Sequence, residues 1–219
     1  MQNKIVYAIV SIIAFAIIAI VAYATSINNG SPHLKLDIPL SVVSHALPGY
    51  NITNITSKSD VFSGVLKSEG YISATDQVFT GETNASKSII IDVLLMMDSN
   101  SSVSNSTLNS ELSQINASPT ESGSHFGLIN IKNYSDNGVK VQIYELLDIG
   151  LLNLTVVNRS VNAGLTLMPY YQFTSMFSYK NYYGSATVDA YSNSSLAASA
   201  SMYLAEYLLN HTVNNTYSG

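Results

Sequence analysis

Cysteine is absent from this 219-residue chain, and so is tryptophan. No disulfide can staple the fold and no thiolate can serve as nucleophile or metal ligand, so stability has to come from burial and hydrogen bonding. Charge is scarce as well: charged residues make up 11% of the chain, against a usual share of about 25%. Nine basic residues, with Arg159 the single arginine, face fourteen acidic ones for a formal net charge of -5. A nucleic acid partner needs a basic stripe to displace counterions, and these residues cannot supply one. The four histidines, His33, His45, His125 and His211, stand far apart without His-x-His or HExxH spacing, so no metal site is expected. Gly-rich phosphate loops and G-x-S-x-G elbows are missing too; Ser122-Gly-Ser124-His125 reads as a loop. No cofactor is expected.

What the chain does have, first, is one long apolar run. Residues Ile5 to Ala24 contain no charge, proline or glycine. At about 1.5 Å per residue such a run spans a hydrocarbon core roughly 30 Å thick. Tyr7 and Tyr23 sit near its ends, where amphipathic rings rest at headgroup level, and Lys4 supplies positive charge on the upstream side. The expected organisation is a cytoplasmic stub at 1–4, a transmembrane anchor at 5–24, a stalk at 25–33 and an extracellular domain at 34–219. The N-terminus is then inside and the C-terminal domain outside. Ala22-Tyr23-Ala24 also resembles a signal-peptidase site, which leaves secretion after cleavage near Ala24 as the alternative, although a signal h-region is usually about 7–15 residues.

The second abundance is the triplet Asn-x-Ser/Thr. Asn29, Asn51, Asn54, Asn84, Asn100, Asn105, Asn116, Asn133, Asn153, Asn158, Asn193, Asn210 and Asn214 each open one, with no proline at x: thirteen of the twenty-one asparagines. That is well above what the share of serine and threonine gives by chance, and no triplet precedes residue 29, as expected if only the exterior part meets the glycosylation machinery. Asn29 and Asn116 are the poorer acceptors, because Pro32 and Pro119 follow their triplets. Glycan and neutral Ser, Thr and Asn take over the solubilising role of Lys and Glu.

Few charges, one arginine, no cysteine, fifteen tyrosines and dense sequons resemble the N-glycosylated single-pass cell-envelope proteins of thermoacidophilic archaea. The resemblance is one of style across the whole chain and implies an envelope protein of an acidic medium. There, a fold that relied on ionised carboxylates would lose stability as pH fell, whereas neutral polar groups are insensitive to it.

Along the exterior, Leu34 to Ile38 alternates apolar and polar residues, the pattern of a half-buried strand or extended arm. A short helix is expected at Leu40–Leu47, ended by Pro48-Gly49. Strands are expected at Tyr50–Thr56, Val61–Lys67, Tyr71–Thr80 and Ser88–Met97, the last apolar enough to be covered on both faces. Leu108, Leu112 and Ile115 mark a helix that Pro119 ends. Phe126–Lys132 and Val139–Leu147 flank Asp136-Asn137-Gly138 as a hairpin, with Leu151–Val157 as the next strand. Leu165–Phe177 is ambiguous because Pro169 interrupts it. Ser185–Tyr191 reads as a strand, and Ser194–Leu209 as an amphipathic helix with Leu196, Ala200, Tyr203, Leu204, Tyr207 and Leu208 on its inner stripe. The fold class expected is α+β, a mainly antiparallel sheet with about two helices packed on one face in two layers.

Chemistry is thinly marked. Asp76, Glu82, Asp92, Asp148 and Asp189 could converge as carboxylate pairs for glycoside hydrolysis, although solvated or capping roles are the ordinary use of such residues. Tyr170, Tyr171, Tyr179, Tyr182 and Tyr183 offer flat faces and hydroxyls for stacking on sugars or docking a partner, although tyrosines more commonly pave a sheet. The reading is a non-enzymatic, membrane-anchored, glycosylated structural or interaction protein of the envelope. Its partners are the membrane, through 5–24, and other envelope proteins or glycans. One alternative is a filament subunit, since archaeal pilins resemble this chain in joining an N-terminal hydrophobic helix to a glycosylated β-rich head. Here Lys4 is followed by Ile5 rather than by the Gly or Ala of a pilin processing site. A variant has Leu34–Ile38 donated as a strand to a neighbour. A weaker alternative is an exported hydrolase with converging carboxylates in a pocket.

Overall fold

The computed structural model describes residues 34, 36–83, 88–117, 125–136, 138–154, 166–190 and 195–214, with the backbone alone at 114–117, 125–126, 136, 139, 150–154 and 166–170. The apolar run 5–24 lies outside the described residues, among which no helix is long and apolar enough to cross a membrane. The elements in chain order are α1 (Leu40–Ala46), β1 (Asn51–Val61), α2 (Gly64–Ser68), β2 (Tyr71–Glu82), β3 (Ser88–Asp98), α3 (Ser101–Ala117), β4 (His125–Asp136), β5 (Val139–Leu154), β6 (Thr166–Tyr179), β7 (Tyr182–Ala190) and α4 (Ser195–Asn214). All seven strands join one antiparallel sheet in the order β1-β2-β3-β7-β6-β5-β4. The α+β class is therefore observed.

Period-two alternation builds the main core. Phe79 of β2, Ile89, Ile91, Val93 and Leu95 of β3, Phe173 and Phe177 of β6, and Ala186 and Val188 of β7 all turn to one face. There they meet α1 and α4. The buried side of α4 is Ala197, Ala200, Ser201, Leu204, Ala205, Leu208 and Leu209. This is a correction to the expected stripe: Tyr203 is exposed, while Leu196 and Tyr207 are only half-buried. The helix turns its small residues inward because they let it approach the sheet closely. Gly184 shows how close the packing is, since a Cβ there would stand 2.5 Å from Phe177 Cζ and 3.0 Å from Leu208 Cδ2.

The two-layer expectation is also corrected. α3 packs on the opposite face, where Leu108 and Leu112 meet Leu94, Met96, Tyr144, Leu146, Met176 and Tyr183. At that end β3, β5, β6 and β7 are apolar on both sides, so both sides need cover and the domain has three layers. Four helices are described rather than two.

Other differences are local. Val61–Lys67 is not a strand: β1 ends at Val61, and Gly64, at φ 61°, opens the short α2. Gly150 does not separate two strands, because β5 runs through it for sixteen residues. Pro169 sits inside β6 opposite Leu151, beyond the last β6–β7 pair at Tyr171 and Ala190. Among the described residues β6 has a neighbour on one side only there, where a residue that cannot donate is tolerated. The β4–β5 hairpin forms as expected, with Gly138 at φ 81° after a pair between Asp136 and Val139.

Leu34, Leu36 and Ile38 are 2–3% exposed and pack into the main core, while Ile38 N–H donates to Gln77 Oε1 at 2.7 Å. Burial of each such side chain is worth about 1.5–3 kcal/mol. The described residues of this segment thus form an arm tucked into its own domain and not a strand of the sheet.

Candidate functional site

The acids the sequence left scattered come together on the sheet face that α3 only partly covers. Asp189 of β7 is paired with Gln172 of β6, and Gln172 with Asp148 of β5. Gln172 Nε2 donates to Asp189 Oδ1 at 2.9 Å. One row over, Asp92 of β3 faces Thr187, which exchanges a 3.1 Å hydrogen bond with Thr174. Asp92 also lies diagonally across from Asp76 of β2, whose neighbour Val78 is its direct partner. Glu82 ends β2 on the same side, exposed. Register thus turns four carboxylates from four strands into one acid-bearing strip.

The strip favours protons. Crowding by surrounding protein, a hydrogen bond with Asp76 and the charges of Asp76 and Asp189 push the Asp92 carboxyl up to about 8. Asp92 nevertheless has an exposed surface, so the shared hydrogen bond and the like charges are the firmer causes of that upward direction. Burial, then the charge of Asp189, raises Asp148 as well.

Asp76 and Asp92 are diagonal neighbours on adjacent strands, and Asp76 Oδ1 is buried without a hydrogen-bond partner among the described residues. Two open cavities among the described residues lie elsewhere. One of about 280 Å³ is lined by Glu69, Tyr71, Ser102, Val103 and Ser106, and one of about 250 Å³ by Tyr207, Asn210, His211 and Asn214. Among the described residues no three His, Asp or Glu side chains are grouped to hold a metal ion. His45 stacks obliquely on Tyr203 at 5.5 Å, His211 belongs to α4, the side chain of His125 is not described, and His33 lies outside the described residues.

Two buried acids were not singled out from the sequence. Asp98, at the end of β3, is 0% exposed, both its carboxyl oxygens lack a hydrogen-bond partner among the described residues, and burial raises it to about 7. The sequence shows it only as part of a Ser- and Asn-rich helix cap. Glu145 of β5 is 4% exposed, and burial raises it despite hydrogen bonds from Asn130 and Ser201. Its place in an alternating strand, on the apolar side, was the available signal.

Seven sequon asparagines have described side chains, Asn51, Asn54, Asn100, Asn105, Asn133, Asn210 and Asn214, and all seven are exposed. Asn116 and Asn153 lie in α3 and β5 without described side chains, and Asn29, Asn84, Asn158 and Asn193 lie outside the described residues. Asn100 doubles as the N-cap of α3, its Oδ1 accepting from Ser102 N–H at 2.9 Å and Val103 N–H at 3.2 Å. Four of the five tyrosines have described side chains, and all four take part in packing. Tyr182 and Tyr183 are 4% and 3% exposed, on opposite faces of β7. Burial raises the Tyr183 phenol. Tyr171 and Tyr179 are half-buried against the main core, and Lys180 lies over the Tyr179 ring at 5.2 Å. For Tyr170 only the backbone, in β6, is described.

No protein-family model and no curated protein matches the chain. Among solved structures, the extracellular domain of PknH from Mycobacterium tuberculosis is similar over 79% of this chain and 92% of that one, with a TM-score of 0.48 and 6% identity. A likeness of that extent carries nothing about function.

Proposed function

We propose that the chain is a membrane-anchored, N-glycosylated cell-envelope protein whose α+β domain faces outward in a structural or interaction role. The observation that carries this is the exposure of all seven sequon asparagines with described side chains, in a chain that also holds a span-length apolar run. A cysteine-free, three-layer core supports a domain of this size without disulfides. The reading is a non-enzymatic one, and neither of the two cavities described above is lined by an acid of the strip.

An acidic medium, as for the archaeal envelope proteins the chain resembles, is supported by the direction of its carboxyl shifts. Asp92, Asp98, Glu111, Glu145 and Asp148 are all raised, with burial a cause at each and like-charged neighbours the firmer one at exposed Asp92. An acid whose folded pKa lies above its unfolded one contributes stability fully present below the unfolded pKa and lost as pH rises through the folded one. These five therefore favour the folded state in acid.

Intact-mass spectrometry and membrane fractionation of native material test the reading. A mass well above 23.6 kDa and retention by membranes until detergent is added are expected. A bare chain of that mass would sink the glycoprotein claim, and a freely soluble one the anchor. Recovery of the protein in sheared surface filaments would favour the pilin-like alternative.

A further inference from the structure

We propose that N-linked glycans at Asn51, Asn54, Asn133 and Asn210 sheathe the two open edges of the sheet and keep copies of the domain from joining edge to edge. The inference rests on the glycoprotein reading above. Among the described residues the sheet ends in β1 on one side and β4 on the other. An edge strand presents a row of unpaired N–H and C=O groups, a template for a strand of another molecule. β4 is twelve residues long, and its Leu128, Ile129 and Ile131 are 41%, 43% and 44% exposed. A β-branched apolar run on a free edge is the composition that invites such pairing. β1 is eleven residues long and exposes Ile55 at 56%.

Sequons fall where strands have a free flank. Asn51 and Asn54 belong to β1 and Asn133 to β4, whereas β2, β3, β6 and β7 carry none. The remaining strand-borne sequon, Asn153, lies beyond Ile149, the last β5 residue paired with β4, so β5 is there the outermost described strand. Depletion of asparagine from inner strands is ordinary. It accounts neither for the hydroxyl residue two positions on nor for the division between faces.

That division is the strongest sign. At β1, Asn51 pairs with exposed Glu82 on the acid face, while Asn54 pairs with Phe79, fully buried on the helix-covered face. At β4, Asn133 pairs with Gln142 on the α3 side and accepts from its Nε2 at 3.3 Å. On the other side Asn210 of α4 reaches the edge, its Oδ1 accepting from Tyr134 Oη. Both bonds engage Oδ1, not the Nδ2 that would carry the sugar. Each edge therefore has an acceptor on either face, and an incoming strand must come within about 4.7–4.9 Å of the edge strand, inside the volume a glycan sweeps.

Glycopeptide mass spectrometry of the native full-length protein reads site occupancy, and light scattering in detergent reads assembly. Occupied edge sites and a single-chain protein mass are expected. Replacing the four edge acceptors together (Asn51→Gln, Asn54→Gln, Asn133→Gln, Asn210→Gln) should at least double the associated protein mass. Asn105→Gln with Asn214→Gln should leave it unchanged. Adding Ile55→Lys, Ile129→Lys and Ile131→Lys to the edge variant should return it to a single chain with an unaltered far-ultraviolet spectrum, which separates edge pairing from misfolding. Bare edge sites in the native protein, or an edge variant that stays single-chain, would overturn the inference. If other sequons carry glycans while the edges are bare, the glycoprotein reading stands and this inference alone falls. A wholly unmodified chain removes both.

Discussion

The two faces of the same seven strands are built to opposite specifications. On the face under α1 and α4, alternate positions read Phe79, Ile91, Val93, Phe177, Ala186 and Val188, all nearly inaccessible. On the other, the intervening positions read Asp76, Ile90, Asp92, Thr174, Thr187 and Asp189, half-buried or exposed. The first face holds the fold by apolar burial. The second contributes little burial away from α3 and carries acids that are easier to bury protonated than ionised. One sheet thus combines a largely apolar face, on which Glu145 is a buried acid, with an acid-bearing one.

The largest expected effect comes from breaking the first face. Phe177→Ala should destabilise by about 3–5 kcal/mol, as for other fully buried aromatics, measured by denaturant unfolding. A loss comparable to that of a surface residue would mean that the face is not the main source of stability. Gly184→Ala forces a methyl between Phe177 and Leu208 and should cost about 1–3 kcal/mol.

A change of opposite sign is expected at Asp98. Asp98→Asn removes a charge that has no side-chain partner among the described residues, so at about pH 8 it should stabilise by on the order of 1–3 kcal/mol, and below about pH 4 by much less. An equal effect at both pH values would show that the carboxyl is not buried ionised. Next comes the pH profile of the unmutated protein. Because Asp92 is raised from 3.8 to about 8 and Asp98 from 3.8 to about 7, the melting temperature should climb as pH falls through that window. Asp92→Asn should flatten part of the climb, and a melting temperature that drops steadily from pH 8 to 4 would contradict the assignment of the acids. The smallest effect belongs to the open face: Ile90, 40% exposed, should tolerate Ile90→Thr within about 0.5 kcal/mol.

The contrast between the faces was partly visible in the chain. Alternation in Tyr71–Glu82 and Ser88–Asp98 and the Asp136-Asn137-Gly138 turn are local signals, and those elements formed where expected. The strip of acids was not legible, because Asp76, Asp92, Asp148 and Asp189 are neighbours only through the order β2-β3-β7-β6-β5, which is fixed by non-local pairing. Leu165–Phe177 stayed ambiguous for a related reason: Pro169 breaks a strand only where both flanks are paired, and that one flank is unpaired among the described residues is a property of the whole sheet. The stripe of α4 was displaced because tyrosines at Tyr203 and Tyr207 count as apolar in a periodic pattern, whereas close packing at Gly184 favours alanine and serine.

The tucked arm Leu34–Ile38 has a mechanical consequence. Were 5–24 the anchor proposed above, residues 25–33 would link bilayer to domain, a tether whose full extension is roughly 30 Å. Tension between membrane and domain would enter at Leu34, away from the hydrogen-bond ladders, and would be resisted first by three aliphatic side chains and the bond from Ile38 to Gln77. The arm would peel residue by residue under modest force, while the sheet, whose strands would have to be sheared apart, stayed intact.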